Sequence, residues 1–210
     1  MSKVLVVGSK GRMGLRYCAI MKYMGIDFVE YDTNGALNPW SKDEVDRAIV
    51  ATPIDDHADT CGRLLALGIS VLCEKPISKS IDVLLGLTNV ATLSKASLHM
   101  VNNWRFVLGR KRILDAGHNS ITLNYFNTGA DGDWDLIQPV YLSRGYPTIS
   151  RTSPVYDCSV NGTLINQMNF DMSYVAMIDA WIHNPALMWT MSDAIAATEK
   201  TIKYMERNRA

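Results

Sequence analysis

Residues 4–25 read VLVVGSKGRMGLRYCAIMKYMG. The first four are apolar and mostly β-branched, which is typical of a strand buried on both faces of a sheet. Gly8, Gly11 and Gly14 follow, and then comes a helical pattern that stops at Gly25. A strand, a glycine-rich turn and a helix in this order let a phosphate bind the backbone N–H groups at the helix start. On its own, the GxxGxxG spacing fits a purely structural turn equally well.

A carboxylate follows the second predicted strand. Residues 27–31 read DFVEY and lead to Asp32, roughly twenty residues after the glycine loop. At that distance a carboxylate accepts hydrogen bonds from an adenosine ribose and repels a 2′-phosphate, which favours NAD over NADP. Arg12 beside the loop keeps NADP possible. Asp32 also fits a simple turn-forming role before Asn34-Gly35.

Strands and helices continue to alternate as far as residue 102. The pattern predicts a short helix over residues 41–47 with a capping box at Ser41 and Glu44, strands over 47–51, 69–73 and 98–102, and helices over 56–67 and 80–96. Such alternation indicates a parallel doubly wound sheet, in which ligands bind beyond the carboxyl ends of the strands. Glu74 and Lys75, in the segment VLCEKPIS, come directly after one of these strands, so their charges can face a ligand.

Composition narrows the class of protein. Lys and Arg total 21, and so do Asp and Glu, so no overall charge favours nucleic acid or a membrane. The amino-terminal apolar run is too short for a signal peptide, and no apolar segment is long enough to span a bilayer. The 4 cysteines form no CxxC pair and show no metal-ligand spacing. We therefore expect a cytoplasmic protein with reduced thiols, no metal, and neither nucleic acid nor membrane as a partner.

Two segments carry a family resemblance. Residues 48–78, AIVATPIDDHADTCGRLLALGISVLCEKPIS, resemble the ATP-x-x-x-H, helix, G-x-x-V and CEKP run of the Gfo/Idh/MocA oxidoreductases. Residues 100–107, MVNNWRFV, are similar to the following strand and N-x-R-F-like motif of that family. The resemblance covers residues 1–110 and implies a Rossmann domain followed by an open, mostly antiparallel sheet domain. It also implies hydride transfer between a nicotinamide cofactor and sugars, inositols or related polyols.

By this resemblance most candidate residues serve the cofactor. The glycine loop is expected to bind the pyrophosphate, and Asp32 is expected to bind the adenosine ribose. The loop residues are Gly8, Lys10, Gly11, Arg12, Met13 and Gly14. The residues expected along the rest of the cofactor are Thr52, Pro53, His57, Glu74, Lys75, Pro76 and Arg105. For His57 a local hydrogen bond near the helix start is the competing interpretation.

Lys75 is the predicted catalytic residue. By the resemblance it reaches the substrate hydroxyl, and Pro76 fixes its turn, often through a cis bond. A hydride leaves a carbinol carbon only as the hydroxyl loses its proton, and an ammonium group stabilises the alkoxide that develops. The competing interpretation is a surface charge paired with Glu74.

The remainder of the chain departs from the family pattern. Strands are predicted within residues 119–134, 135–149 and 153–162, a long helix over 164–183, and a terminal helix capped by Ser192 or Asp193. The fold class is therefore α/β, with a Rossmann doubly wound parallel sheet in residues 1–117 and a reduced α+β sheet domain in residues 118–210.

The family normally has a D-x-G-x-H-like motif at the start of the long helix, but residues 166–171, NQMNFD, contain no histidine. The candidate acid–base partners of Lys75 are Tyr146, Asp171, Tyr174 and His183, each of which also fits a structural role.

A sheet this short would leave an apolar face uncovered around Val140 and Leu142. We therefore expect a homodimer or higher homo-oligomer packed sheet on sheet through residues 119–160. The leading hypothesis is an NAD(P)-dependent oxidoreductase acting on a sugar, a nucleotide sugar or a similar small hydroxyl or carbonyl substrate. The missing histidine favours the alternative of a catalytically inactive dinucleotide-binding regulatory or assembly protein. A dihydrodipicolinate-reductase-like enzyme, suggested by GSKGRMG, ranks last because the histidine-rich substrate motif is absent.

Overall fold

The computed structural model describes residues 3–32, 43–106, 121–123, 138–140, 149–152, 157–160, 163–165 and 167–208. The chain divides into two compact units. The first comprises Met1–Val101 with Trp189–Glu199, and the second comprises Asn102–Met188 with Lys200–Ala210. The domain boundary predicted between residues 117 and 118 lies outside the described residues.

A parallel sheet forms the centre of the first unit. Its described strands are β1 (Lys3–Val7), β2 (Phe28–Tyr31), β3 (Val45–Val50), β4 (Ser70–Cys73) and β5 (Leu98–Met100), in the order β2-β1-β3-β4-β5. Every neighbouring pair is parallel. The inner strands are continuous apolar runs, as expected for strands that are covered on both faces. The predicted Rossmann doubly wound sheet is confirmed.

Three helices connect these strands, and residues typical of helix ends stand where they begin or end. They are α1 (Arg12–Met24), α2 (Ile54–Ala66) and α3 (Ile81–Ser94). α1 ends at Gly25, whose φ of 67° is left-handed, a conformation that glycine adopts without steric cost. α3 begins after Ser80, whose side chain accepts a hydrogen bond from the Val83 N–H at 3.5 Å. None of the described helices combines the length and the apolar character that a membrane span needs.

The helix predicted over residues 41–47 is wrong. Asp43 and Glu44 form a turn, and β3 begins at Val45; Ser41 lies outside the described residues. Val45 is buried and pairs with Lys3 of β1, so pairing with the sheet overrides the local capping signal. The strand predicted over residues 98–102 also ends early, because β5 stops at Met100 and a 3₁₀ helix covers Asn103–Phe106.

The second unit contains antiparallel strands and a long helix, which confirms the reduced α+β class. Strands β6 (Ile121–Leu123) and β7 (Gln138–Val140) form one pair, while β8 (Ile149–Thr152), β9 (Asp157–Val160) and β10 (Thr163–Ile165) form a meander. The helix α4 runs over Gln167–His183. It does not include residues 164 and 165 as predicted, because these pair with β9.

The cap predicted for the terminal helix is also wrong. This helix, α5, covers Met191–Asn208. The Thr190 N–H donates to Asp193 Oδ2 at 2.8 Å, and the Asp193 N–H donates to Thr190 Oγ1 at 3.3 Å. This reciprocal pair is a capping box in which Thr190 is the cap and Asp193 its partner.

His99 ties the segment before α5 to the sheet. Its Nδ1 lies 3.0 Å from the Trp189 carbonyl, and Met100 and Trp189 form an antiparallel bridge. Nε2 of His99 is buried, and no hydrogen-bond partner reaches it within the described residues. Burial lowers the pKa of His99 below its usual value, and the hydrogen bond to Trp189 opposes this shift more weakly.

We predict that His99 makes the folded chain sensitive to acid. Because its folded pKa lies below the unfolded value of 6.5, the unfolded chain binds more protons as the pH falls. The stability is therefore complete above about pH 6.5 and is lost as the pH falls through the folded pKa. Urea unfolding from roughly pH 8 to pH 5 should show a falling free energy of unfolding, with a shallower slope in His99→Asn. An unchanged slope in His99→Asn would contradict the assignment.

Candidate functional site

The candidate residues of the first unit collect at one edge of its sheet. Gly8, Asp32 and Glu74 each come directly after a parallel strand, and Thr52 comes two residues after β3. Parallel strands that share a direction end at the same edge, so this edge gathers polar groups from four separate chain segments. This is the edge at which open α/β sheets bind their ligands.

Backbone hydrogen bonds hold the glycine loop in place. The N–H groups of Gly8 and Ser9 both donate to the Tyr31 carbonyl, at 2.9 and 3.0 Å. Gly8 has a φ of 80°, and a Cβ there would lie 2.6 Å from the Ala51 carbonyl oxygen. A Cβ on Gly14 would overlap the Gly8 carbonyl. The fold itself therefore requires both glycines.

Gly11 differs from these two glycines. Its φ is −70°, and the nearest atom to a Cβ built on it, the Gly8 carbonyl oxygen, lies 3.3 Å away. It caps α1 without a side-chain hydrogen bond, and no acidic residue lies in the first turn of the helix. The first N–H groups of a helix have no partner within the helix and attract an anion. The loop therefore fits the pyrophosphate of a dinucleotide, with the exposed Lys10 and Arg12 adding positive charge.

The structure joins Asp32 to this loop. Oδ2 of Asp32 accepts a hydrogen bond from the Lys10 N–H at 2.8 Å, although the two residues are 22 positions apart in the chain. The predicted proximity of Asp32 to the glycine loop is therefore observed. One of its oxygens also organises the loop.

Thr52 brings an unsatisfied hydroxyl to the same edge. The residue is buried, and its Oγ1 has no hydrogen-bond partner within the described residues. An unpaired buried hydroxyl costs about 1–3 kcal/mol, so a polar group of a ligand would be favoured here. The adjacent Pro53 is exposed. The residues at this edge therefore fit a bound dinucleotide, the pyrophosphate at the glycine loop and a further polar atom at Thr52.

His57 connects two of the loops at this edge. The ring is 1% exposed, with Nδ1 2.8 Å from the Pro76 carbonyl and Nε2 2.8 Å from the Thr52 carbonyl. A neutral imidazole donates to one carbonyl, and a protonated ring donates to both. The contact with Thr52 is local, as the simple interpretation expected, but Pro76 is 19 residues away. His57 therefore braces the turn that carries Lys75.

The charged turn after β4 is built around a buried acid. Oε1 of Glu74 accepts a hydrogen bond from the Tyr17 hydroxyl at 2.5 Å, and Oε2 accepts one from the Lys75 N–H at 3.1 Å. The Lys75–Pro76 peptide bond is cis, as the family resemblance implied. Glu74 and Pro76 are buried, whereas Lys75 is half-buried. Of the two charged residues of this turn, Lys75 is therefore the more exposed, and the predicted contact of Glu74 with a cofactor stays a prediction.

Sequence reasoning missed Tyr17. It lies on the buried face of α1 and is fully buried. A buried tyrosine hydroxyl usually finds a hydrogen-bond partner, so the burial pattern of α1 was a usable signal. The identity of that partner was not readable, because Glu74 is 57 residues away.

The thiol beside this turn is not a candidate nucleophile. Cys73 is free and buried, and desolvation raises its pKa well above the usual value. The neighbouring Cys61 thiol and the charge of Glu74 shift it in the same direction. A reactive cysteine needs an accessible thiolate.

The remaining candidate residues, both catalytic and cofactor-binding, belong to the second unit. Tyr146 lies outside the described residues, and Asp171 and Arg105 lie in helices without described side chains. His183 is exposed, and its Nδ1 lies 3.0 Å from Oδ1 of Asp179, one turn earlier on α4. Tyr174 is buried. An acid–base role for the four candidates other than Arg105 remains a prediction, and so does the cofactor contact of Arg105.

Comparisons with known proteins match much of the first unit. Residues 19–100 match the sequence model GFO_IDH_MocA, described as an oxidoreductase family with an NAD-binding Rossmann fold. The rhizopine catabolism protein MocA of Rhizobium meliloti is 35% identical over 72 residues, which are 34% of this chain and 23% of that protein. The chain therefore matches less than a quarter of this relative's length. The predicted resemblance and the NAD-binding Rossmann fold are confirmed.

Solved structures with the same fold extend over more of the chain. The WlbA (WbpB) dehydrogenase of Thermus thermophilus, solved with NAD and UDP-GlcNAcA, superimposes with a TM-score of 0.63 at 12% identity. The superposition covers 95% of this chain and 93% of that one. GenD2 from gentamicin A biosynthesis, solved with NAD, gives 0.59 at 15% identity, with 95% and 92% covered. At these identities the likeness is one of fold.

We predict that His57 is a stability determinant of the charged turn. His57→Leu removes both ring contacts and leaves at least one of the buried Thr52 and Pro76 carbonyls without its donor, so the free energy of unfolding should fall by about 1–3 kcal/mol. Urea titration followed by circular dichroism measures this. The matched control is His183→Leu, at an exposed position, which should change stability by less than about 0.5 kcal/mol. Equal stability of His57→Leu and the wild type would show that the two contacts contribute nothing.

Proposed function

Since residues 19–100 carry the NAD-binding Rossmann fold of the Gfo/Idh/MocA oxidoreductase family, we propose that the chain transfers a hydride between NAD and a small hydroxyl or carbonyl substrate. The observation that carries this proposal is the position of Lys75. Lys75 is half-buried and lies in a turn at the edge of the sheet where such folds bind their ligands. The residues on either side of it, Glu74 and Pro76, are buried and hydrogen-bonded. An amine held at a fixed place beside a dinucleotide suits proton transfer during hydride transfer.

The residues of the glycine loop bind and orient the dinucleotide. The uncapped start of α1 receives the pyrophosphate, and Asp32 lies where the adenosine ribose of a dinucleotide would be held. The charge of Asp32 disfavours a 2′-phosphate, so we propose NAD rather than NADP. When bound, NAD supplies the nicotinamide carbon that gives or accepts the hydride.

We assign the transfer of the substrate's hydroxyl proton to Lys75. In the oxidising direction its neutral amine takes the proton of the substrate hydroxyl, and in the reducing direction its ammonium returns it to the alkoxide. Positive charge beside the developing alkoxide lowers the barrier in either direction. Because Lys75 is half-buried, water competes for this proton less than it would at a fully exposed side chain.

A sugar or nucleotide sugar is the substrate class that we propose. The family resemblance supports it, and the similarly folded WlbA dehydrogenase was solved with the nucleotide sugar UDP-GlcNAcA. A homo-oligomeric state, through residues 119–160, is part of the same proposal. Retention of Lys75, Glu74 and Pro76 argues against a purely regulatory dinucleotide-binding protein.

The first test concerns dinucleotide binding. A valine at position 11 can keep the observed φ, but its Cβ would lie 3.3 Å from the Gly8 carbonyl oxygen, so its side chain would crowd the turn that we propose to receive the pyrophosphate. Gly11→Val should therefore weaken NADH binding at least about a hundredfold, the scale of losing two charge-assisted hydrogen bonds. Calorimetric titration with NADH and NADPH measures this, with circular dichroism to verify the fold. The matched control is Gly86→Val on α3, where a Cβ meets open space and binding should not change. Absence of binding to the wild type would refute the proposal.

The second test concerns the proton. Lys75→Ala should lower single-turnover hydride transfer by about two to four orders of magnitude while cofactor binding stays nearly intact. Lys75→Arg should not restore the rate, because a guanidinium does not release its proton near neutral pH. The exposed Lys79, four residues further along, provides the control Lys79→Ala. Transfer is followed by NADH absorbance over a panel of sugars, nucleotide sugars and their oxidised forms. A Lys75→Ala rate close to that of the wild type would make this lysine a surface charge.

A further inference from the structure

Tyr17 links the two parts of the proposed site within the first unit. It lies on α1, the helix that starts at the glycine loop, and it is fully buried. Its hydroxyl reaches Glu74 of the charged turn, donating to Oε1 at 2.5 Å. One rigid helix therefore contacts the expected pyrophosphate position with its start and the lysine turn with its second turn.

Glu74 depends on this donor. A carboxylate that is 9% exposed is costly to bury unless hydrogen bonds satisfy it. Its Oε2 accepts the N–H of Lys75, the next residue in the chain, so among the residues that the structure describes Tyr17 is the donor from another element. Short O–H···O⁻ bonds of this length are charge-assisted and among the strongest in proteins. The position of Glu74 is consequently set by α1.

The same carboxylate also holds the backbone of Lys75. A shift of Glu74 would move the Lys75 N–H that its Oε2 accepts from. On the other side of the lysine, His57 of α2 holds the Pro76 carbonyl. Lys75 therefore leaves a turn that is fixed on both sides, through Tyr17 of one helix and His57 of another.

We propose that Tyr17 is a positioning residue for Lys75, acting through Glu74, and that it couples the dinucleotide-binding helix to the proton-transferring lysine. This rests on the proposed function of Lys75. Tyr17 itself touches neither substrate nor cofactor in this role. Its hydroxyl, through Glu74, sets the direction in which the Lys75 side chain leaves the turn.

The decisive variant is Tyr17→Phe, which keeps the ring in its buried site and removes the hydroxyl alone. NADH affinity should change less than about threefold, while hydride transfer at saturating NADH and substrate should fall about tenfold to a hundredfold, the scale of a small misplacement of a reacting group. The pH profile of transfer should shift as well, because the surroundings of the Lys75 amine change. The matched control is Tyr23→Phe, on the exposed face of the same helix, which should leave all three unchanged.

A double-mutant cycle tests whether the effect passes through Glu74. In a Glu74→Gln background the buried charge is gone, so adding Tyr17→Phe should produce less than about a threefold further loss in transfer. Independent, multiplicative losses from the two substitutions would show that Tyr17 acts by another route and would overturn the proposal.

A second readout separates this proposal from the proposed function. The rate of Lys75 acetylation by acetic anhydride, measured by mass spectrometry over a range of pH in the protein without added cofactor, reports the amine directly. The exposed Lys22 and Lys79 serve as internal references. Tyr17→Phe should change the labelling of Lys75 relative to these references at least about twofold, and Tyr23→Phe should not. If the wild type transfers no hydride, the proposed function fails while a changed labelling still supports the coupling. Identical Lys75 labelling in Tyr17→Phe and the wild type overturns it.

Discussion

The site depends on one close backbone approach, that of the first turn of α1 to the Gly8 carbonyl. No side chain at position 14 could fit there, since even a Cβ would overlap that oxygen. This contact sets where α1 starts, and so directs its unpaired N–H groups to the edge of the sheet. It also fixes the face that α1 presents inward. Tyr17, three residues after Gly14 and therefore on the same face of the helix, is aimed at the sheet as a consequence.

Burial of charge at the turn after β4 follows from that placement. Burying Glu74 next to Lys75 would be unfavourable if each had to find a charged partner, because desolvating an ion pair often costs more than the attraction returns. The observed arrangement uses a neutral hydroxyl and a backbone N–H as donors to the acid. An acid buried in this way orients the turn without occupying the place of a ligand.

Much of this fold could be predicted from local patterns. The run of residues 4–7, the glycine loop and the stop at Gly25 each predict their element, because the physical requirement is local. The prediction failed where pairing over a distance decided the outcome. Val45 was assigned to a helix from the capping box signal of Ser41 and Glu44, but it pairs with Lys3 in the sheet. Thr190 was passed over because the sequence offers adjacent residues of similar capping strength.

The site shows the same division between local and distant information. The motif placed Glu74, Lys75 and Pro76 at the correct edge of the sheet, and the cis bond was implied by the family pattern. The partners of these residues could not be predicted from the sequence alone, since Tyr17 lies 57 residues from Glu74. His57 was foreseen as a site residue, yet the bond from its ring to the Pro76 carbonyl emerges only when α2 packs beside the turn.

Asp32 illustrates why such residues combine roles. Its carboxylate accepts the Lys10 N–H, a charge-assisted bond worth about 1.5–3 kcal/mol, and so helps to hold the loop that is proposed to receive the pyrophosphate. The same negative charge is what would exclude a 2′-phosphate in the proposed ribose contact. A substitution that relaxes this exclusion therefore also removes a support of the loop, unless the new side chain accepts the same N–H. The proposed preference for NAD and the order in the loop thus rest on one carboxylate, and a change of cofactor would require a replacement for both of these roles.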